Sequence, residues 1–195
     1  MSKVQINYWT IGGFEGEKPI LQAITEAKEM GFGGIELCFG AGNLAPGISA
    51  DECEKIRAAA ADAGMTISTL ATGNYWGKSL ASPNDAVRKE AIEFTREYLQ
   101  VARWIGAETV LVVPGAVAVP WDDSQPVVPY AQCWDNATAS LKELVPVAEE
   151  LGVTIALENV WNWFLADPVA MRTFVDQFES DRLGVYFDVG NCMIN

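Results

Sequence analysis

Short apolar runs typical of buried strands alternate along this chain with longer segments of helical periodicity, and no other feature constrains the fold as strongly. We predict six strands, at 4–10, 33–40, 66–73, 108–115, 153–160 and 183–191. We predict helices between them at 19–31, 50–64, 83–105, 136–151 and 168–180. Strands that alternate with helices form parallel βαβ units, which build either an open doubly wound sheet or a (β/α)8 barrel.

The helix boundaries carry local signals. Serine or aspartate, which accept backbone N–H bonds at an N-cap, precede three of the helices, at Ser49, Ser82 and Asp167. Proline follows Ser82 and Asp167, and proline suits the first helical turn. We expect the helix that starts at 83 to be the longest, and the helix at 136–151 to be kinked at Pro146. The connection at 116–134 is long enough to predict a lid or a binding loop.

The spacing of the strands favours a barrel that is incomplete in this chain. The glycines after the first strand, in YWTIGGFEGEKP, match no phosphate-binding fingerprint, which weakens the case for a nucleotide-binding open sheet. One unit takes roughly 30 to 45 residues, so eight units would need about 250 to 300 residues. We therefore predict an α/β fold, a (β/α)8 TIM barrel with about six of its eight units, forming a single domain over 1–195 that lacks its C-terminal units.

Composition limits the partners of the protein. The formal net charge of −13 has the wrong sign for nucleic acid or for an anionic membrane surface, and no segment is apolar enough to predict a membrane span. The four cysteines are scattered and predict neither a zinc site nor a disulfide framework. We expect a soluble cytoplasmic protein with a small-molecule ligand, and self-association into a homo-oligomer stays open.

Two carboxylates are the main candidates for chemistry. The chain contains no histidine, so carboxylates must carry most acid, base or metal chemistry. Glu158 ends TIALE and Asp188 follows VYF, at equivalent points of consecutive predicted strands. Neighbouring parallel strands lie roughly 4.8 Å apart, so the two carboxylates would repel unless a proton or a divalent cation lay between them. The alternative is that each carboxylate only caps the loop or helix that follows it.

Other candidates are weaker. Glu36 could be a ligand, but a structural pairing with a lysine is favoured. The tryptophans at 76, 121, 161 and 163 could wall a sugar-sized pocket, although aromatic residues more often fill a core. Lys78 and Arg88 could hold a phosphate, but charges on a solvated helix face are favoured.

The sequence resembles the sugar phosphate isomerase/epimerase family, which has the xylose isomerase-like barrel and is related to ketose 3-epimerases, hexulose phosphate isomerases and, more distantly, endonuclease IV. The resemblance is carried by LENVWNWFLADP (157–168) and GVYFDVGN (184–191). It is supported by ATGNYWGKSLASPNDAVRKEAIEF (71–94) and VLVVPG (110–115), and it covers essentially the whole chain.

The resemblance implies a divalent cation, Mn, Co or Mg, held by a Glu, an Asp, a His and a second Glu. The first two correspond to Glu158 and Asp188, and the other two have no match in this sequence. Glu158 would also act as catalytic acid and base, removing a proton next to a carbonyl while the cation stabilises the enediolate. Asn162 and Asn191 stand where free-ketose epimerases commonly have Arg and His, and are expected to bind substrate hydroxyls.

We therefore expect a sugar or sugar phosphate isomerase or epimerase as the full-length protein, with this chain alone inactive or nearly so. Two alternatives remain. One is a noncatalytic barrel module that binds sugar or mediates assembly. The other is an endonuclease IV-like phosphodiesterase, which the acidic charge and the lack of histidine disfavour.

Overall fold

The computed structural model describes residues 4–40, 42 and 44–194, and within them it contains six β-strands. The strands are β1 Gln5–Asn7, β2 Gly34–Cys38, β3 Thr69–Ala71, β4 Thr109–Val112, β5 Thr154–Glu158 and β6 Leu183–Tyr186. They form one sheet in the order β1-β2-β3-β4-β5-β6. The pairings β1–β2, β2–β3, β3–β4 and β5–β6 are parallel. This confirms the predicted α/β architecture with parallel βαβ units.

Helices follow every strand of the sheet. They are α1 Trp9–Gly12, α2 Ile20–Glu29, α3 Ala50–Asp62, α4 Asp85–Ile105, α5 Tyr130–Leu151, α6 Pro168–Asp176 and α7 Val189–Cys192, with a 3-10 turn at Asn74–Trp76. Among the described residues, no helix combines the length and the apolar character that a membrane span requires.

The internal contacts of the chain divide it into two compact units, so the single domain over 1–195 stays a prediction. The first unit comprises Met1–Gly73 and Glu97–Val110, and the second comprises Asn74–Arg96 and Leu111–Asn195.

In the first unit, β2 is buried at all five of its residues and lies in the core. Helix α3 starts at a capping box in which the Ser49 hydroxyl accepts from Glu52 N–H and the Glu52 carboxylate accepts from Ser49 N–H, as the predicted cap requires. Gly34 of β2 lies against Thr66, and a Cβ at position 34 would come within 2.6 Å of the Thr66 carbonyl oxygen. A side chain there would force the two segments apart.

In the second unit, α5 covers β5 with an apolar face at helical spacing. The buried residues of that face are Cys133, Ala137, Ser140, Leu141, Leu144, Val145 and Ala148. Gly115 permits close packing of the segment after β4 against Ala81 and α5, because a Cβ would lie 2.4 Å from Ala81 Cβ and 2.9 Å from Cys133 Sγ. Asp167 caps α6 by accepting from Val169 N–H and Ala170 N–H, with Pro168 as the first helical residue, as predicted.

Several predicted boundaries are wrong. Every strand is shorter than predicted, and residues assigned to the ends of the first and last strands lie in α1 and α7 instead. Asn84 caps α4 in place of Ser82, because its side chain accepts from Ala86 N–H at 2.9 Å. The longest helix is α5, with 22 residues against 21 in α4, and it begins at Tyr130 and continues through Pro146.

Candidate active site

The two carboxylates singled out in the sequence emerge next to each other where β5 and β6 end. Glu158 is the last residue of β5 and is paired in register with Tyr186, the last residue of β6. Asp188 lies two residues beyond Tyr186, and both carboxylate residues are half-buried. Because side chains alternate between the faces of a strand, a residue two positions after Tyr186 in extended backbone points to the same side as Glu158.

Asn191 contacts both carboxylates. Its main-chain N–H donates to Asp188 Oδ1 at 2.7 Å, and its side-chain Nδ2 donates to Glu158 Oε1 at 3.4 Å. The same Nδ2 donates to the main-chain oxygen of Asn159 at 2.9 Å. Asn191 reaches both groups because it lies on α7, and the prediction that it ends an extended strand is wrong.

Asp188 serves as the N-cap of α7. Its backbone is extended, with φ −93° and ψ 111°, and Oδ1 accepts the Asn191 N–H. Capping was the alternative to a ligand role, but it uses one carboxylate oxygen. Among the described residues, no donor is within hydrogen-bond distance of Oδ2, and no lysine or arginine forms an ion pair with Asp188.

Asn159 lies at the candidate site but was not predicted from the sequence. The residue is 6% exposed, and its Oδ1 accepts from Asp188 N–H while its Nδ2 donates to Asp188 O, both at 2.8 Å. Nδ2 also donates to Cys192 Sγ at 3.3 Å. The signal available in the sequence was a buried-type strand that ends on Glu-Asn, since an amide in such a place needs backbone partners.

Asn162 lies in the same segment, but its side chain is engaged in holding the chain together. It is 1% exposed, its Nδ2 donates to Gly115 O at 2.9 Å, and its Oδ1 accepts from Phe164 N–H at 3.1 Å. Its main-chain oxygen accepts from Val117 N–H. Asn162 therefore anchors the loop after β4, and substrate binding by this residue stays a prediction.

Three of the four tryptophans proposed as a pocket wall pack on one another. The ring centroids of Trp76 and Trp121 lie 4.8 Å apart at 84°, and those of Trp121 and Trp161 lie 4.4 Å apart at 55°. Trp163 instead projects outward, with 59% exposure and φ of 64°, a backbone region that non-glycine residues rarely adopt.

Comparison with known proteins identifies the family. The xylose isomerase-like TIM barrel family matches residues 24–195. The chain belongs to this family. Uncharacterized protein MJ1311 of Methanocaldococcus jannaschii is 32% identical over 114 residues, which are 57% of this chain and 37% of that protein.

Solved structures similar to this xylose isomerase-like barrel include sugar epimerases. A D-psicose 3-epimerase crystallised in the presence of D-fructose superposes with a TM-score of 0.83 at 24% identity, covering 100% of this chain and 66% of that one. An L-ribulose 3-epimerase superposes with a TM-score of 0.80 at 20% identity, covering 100% of this chain and 63% of that one. At these identities the likeness establishes the fold, and the chain spans at most 66% of the length of either epimerase.

The chemistry of the pair in this xylose isomerase-like barrel suits a hard divalent cation. Such ions take oxygen ligands, and carboxylates are their usual charged ligands in proteins. Asp188 Oδ2 is available, and Asn191, which contacts both carboxylates, is a neutral amide that adds no positive charge. Within the described residues, however, no third Asp, Glu or Cys joins them to form a larger cluster. The pair therefore fits a cation whose remaining ligands come from elsewhere.

Two of the weaker candidates, Glu36 and Arg88, have structural partners. Glu36 is 5% exposed and accepts from Asn7 Nδ2 at 2.6 Å, and its pairing with a lysine stays a prediction. Arg88 pairs with Asp85 at 2.6 Å and donates to Ser82 O at 2.7 Å, which agrees with the favoured assignment to a helix face.

The four cysteines form no disulfide. Burial raises the pKa of Cys133 to about 12, and burial together with Glu52 raises the pKa of Cys53 to about 11. Burial and the nearby Glu36 raise the pKa of Cys38 further. These three thiols are therefore poor nucleophiles near neutral pH.

Proposed function

We propose that this protein is a divalent-metal-dependent isomerase or epimerase of a sugar or sugar phosphate. The observation that carries the proposal is that Asn191 donates hydrogen bonds to both Glu158 and Asp188, which brings the two acids to one point at the carboxyl end of the sheet. Catalytic residues of (β/α) barrels lie at that end of the strands. The similarity to sugar epimerase structures agrees with this reaction class.

The roles of the two acids differ in the proposal. Asp188 is a ligand through Oδ2, since Oδ1 is held by Asn191 N–H. Glu158 is a ligand and also the acid/base on one face of a carbon next to a carbonyl, where it removes a proton. Epimerisation requires a second acid on the opposite face to return a proton, and isomerisation requires the proton to return to the neighbouring carbon. A bound Mn²⁺, Co²⁺ or Mg²⁺ would polarise that carbonyl and stabilise the negative charge left when the proton is removed.

The proposed substrate is a small ketose or its phosphate. Both side-chain hydrogen bonds that Asn191 makes to described residues use Nδ2 as the donor. Its Oδ1 can therefore accept from a substrate hydroxyl, which supports Asn191 as a binding residue. Asn162 would contribute indirectly through the loop that it anchors, because both polar atoms of its side chain already have partners. The free thiols support a reducing cytoplasm as the location.

Exchange of carbon-bound hydrogen tests the proposal even when the product of the reaction is unidentified. The full-length protein with Mn²⁺ is incubated in heavy water with D-fructose, D-psicose and their phosphates, and deuterium incorporation is followed by NMR. We expect exchange at one carbon next to the carbonyl. Glu158→Gln should slow it by about 10²- to 10⁴-fold, since the amide cannot take the proton. Glu150→Gln, on the exposed side of α5, is the matched control and should exchange at the wild-type rate.

Exchange that persists undiminished in Glu158→Gln would contradict the assignment of the base. We also expect residues 1–195 by themselves to exchange hydrogen slowly or not at all, because two carboxylates are well short of the roughly six ligands of a hard cation. Normal turnover by residues 1–195 alone would refute this.

A noncatalytic sugar-binding or assembly module is the second candidate, and one observation favours it. The described residues gather only two carboxylates and no further Asp, Glu or Cys at this point. Calorimetry separates the two candidates. The enzyme requires Mn²⁺ binding that Glu158→Gln weakens, whereas a module that has lost its site should be indifferent to the metal and to the substitution.

A further inference from the structure

The side chain of Asn159 forms a reciprocal pair with the main chain of Asp188. Its carbonyl oxygen accepts the Asp188 N–H and its amide nitrogen donates to the Asp188 carbonyl, both at 2.8 Å. Opposite residues of an antiparallel pair exchange hydrogen bonds in this way, whereas β5 and β6 are parallel, so the amide does not extend their ladder. It holds the segment just beyond the last registered pair, Glu158 and Tyr186.

Burial makes this pairing specific. Asn159 is 6% exposed, and an unpaired amide in such a place is costly. Only one orientation of the side-chain amide satisfies both bonds, since the oxygen must face the N–H and the nitrogen must face the carbonyl. The second hydrogen of Nδ2 is taken by Cys192 Sγ at 3.3 Å, which adds a contact to the last residue of α7.

Asn159 and Asn191 together connect the two carboxylate residues through hydrogen bonds. The Asn159 main-chain oxygen accepts from Asn191 Nδ2, and Asn191 in turn contacts Glu158 and Asp188. Asp188 lies beyond the end of β6, so the hydrogen bonds between strands no longer fix its position. The two bonds from the Asn159 side chain to the Asp188 main chain therefore restrict where the Asp188 carboxylate can lie.

We propose that Asn159 is the positioning residue of the cation site. It fixes the main chain of Asp188 so that the Asp188 carboxylate stays beside Glu158, and it acts on the cation only through Asp188. This inference rests on the proposed function, because it presupposes that the two carboxylates bind a divalent cation.

Calorimetric titration with Mn²⁺ alone tests the inference on the full-length protein. Asn159→Leu removes both hydrogen bonds at similar volume and should weaken Mn²⁺ binding by about 10- to 100-fold, as loss of an outer-shell partner typically does. Asp188→Asn should weaken it at least as much. In the double variant, Asn159→Leu should add no more than about twofold to the effect of Asp188→Asn, because both act through one ligand.

Asn136→Leu is the matched control. Asn136 donates its side-chain amide to the main-chain oxygens of Ala81 and Ser82, so its loss should lower stability in a similar way. It is not among the contacts of the two carboxylates, and we expect its Mn²⁺ affinity to match the wild type.

The outcomes separate the inference from the proposed function. If Asp188→Asn weakens Mn²⁺ binding and Asn159→Leu leaves it within about twofold of wild type, or if the effect of Asn159→Leu persists in the double variant, the inference is overturned alone. If Asp188→Asn leaves Mn²⁺ binding intact, both proposals are overturned.

A second measurement avoids dependence on a variant that folds poorly. Hydrogen exchange in the metal-free wild type should show a protected Asp188 amide, and Asn159→Ala should remove that protection. An Asp188 amide that exchanges freely in the wild type would overturn the inference.

Discussion

Asp188 caps α7, and its proposed role as a cation ligand requires a different property of the side chain. Its Oδ1 caps α7, and an asparagine could replace that acceptor, whereas only the carboxylate supplies the charge that a cation needs. We expect Asp188→Asn to change the free energy of unfolding by about 0.5 kcal/mol or less, and Asp188→Ala to cost about 1 kcal/mol. Urea unfolding measures the difference. Equal losses of stability in the two variants would show that the cap contributes nothing.

Thiol reactivity should divide the four cysteines by burial. Cys192 is exposed, whereas burial raises the pKa of Cys53 to about 11 and that of Cys133 to about 12. The thiolate is the reactive form, so a raised pKa leaves almost none of it at about pH 8. We expect iodoacetamide to label Cys192 alone in the native protein and all four cysteines in urea, as read by peptide mass spectrometry. Labelling of Cys53 or Cys133 as fast as Cys192 would contradict the buried positions.

At the scale of elements, Pro146 should make α5 less stable than an alanine at the same position would. The helix runs from Tyr130 to Leu151 through this proline, which is exposed and donates no backbone hydrogen bond. We expect Pro146→Ala to raise the free energy of unfolding by about 1 to 3 kcal/mol, measured by urea unfolding. Ala139→Gly, at another exposed position of α5, is the control and should lower it by about 1 kcal/mol. A lower urea midpoint in Pro146→Ala would show that the proline fits a bend on which the packing depends.

The order and type of the main elements could be predicted because each carries a local pattern. The helix caps at Ser49 and Asp167 are read from adjacent residues, and both are present. The strand ends could not be predicted, because apolar residues that follow a strand look alike whether they extend it or turn into a short helix. Trp9 lies in α1 and Val189 lies in α7, although both were predicted in strands, for this reason.

The candidate site could be predicted in part. Placing Glu158 and Asp188 at the ends of consecutive strands required only the alternation of elements, and the pairing of β5 with β6 brings those ends together. The contacts of Asn159 and Asn191 could not be predicted, since they depend on which residue of the turn after β6 begins α7. Asn162 shows the same limit, because a polar residue beside a candidate acid can be either a binding group or a buried anchor.

At the scale of the whole molecule, the net charge argues against a nucleic-acid substrate. DNA binding is therefore a direct test of the alternative that the protein is an endonuclease IV-like phosphodiesterase. A protein with a net charge of −13 repels a phosphate backbone, and nonspecific affinity for DNA comes almost entirely from attraction to that backbone. We expect no change in the fluorescence anisotropy of a labelled duplex with an abasic site at protein concentrations up to about 10 μM in about 0.1 M salt. The titration must be repeated with Mn²⁺, because a bound cation would offset part of the local charge of Glu158 and Asp188. Saturable binding that weakens steeply as salt rises would support the phosphodiesterase alternative, and Glu158→Gln would then show whether the same carboxylates are involved.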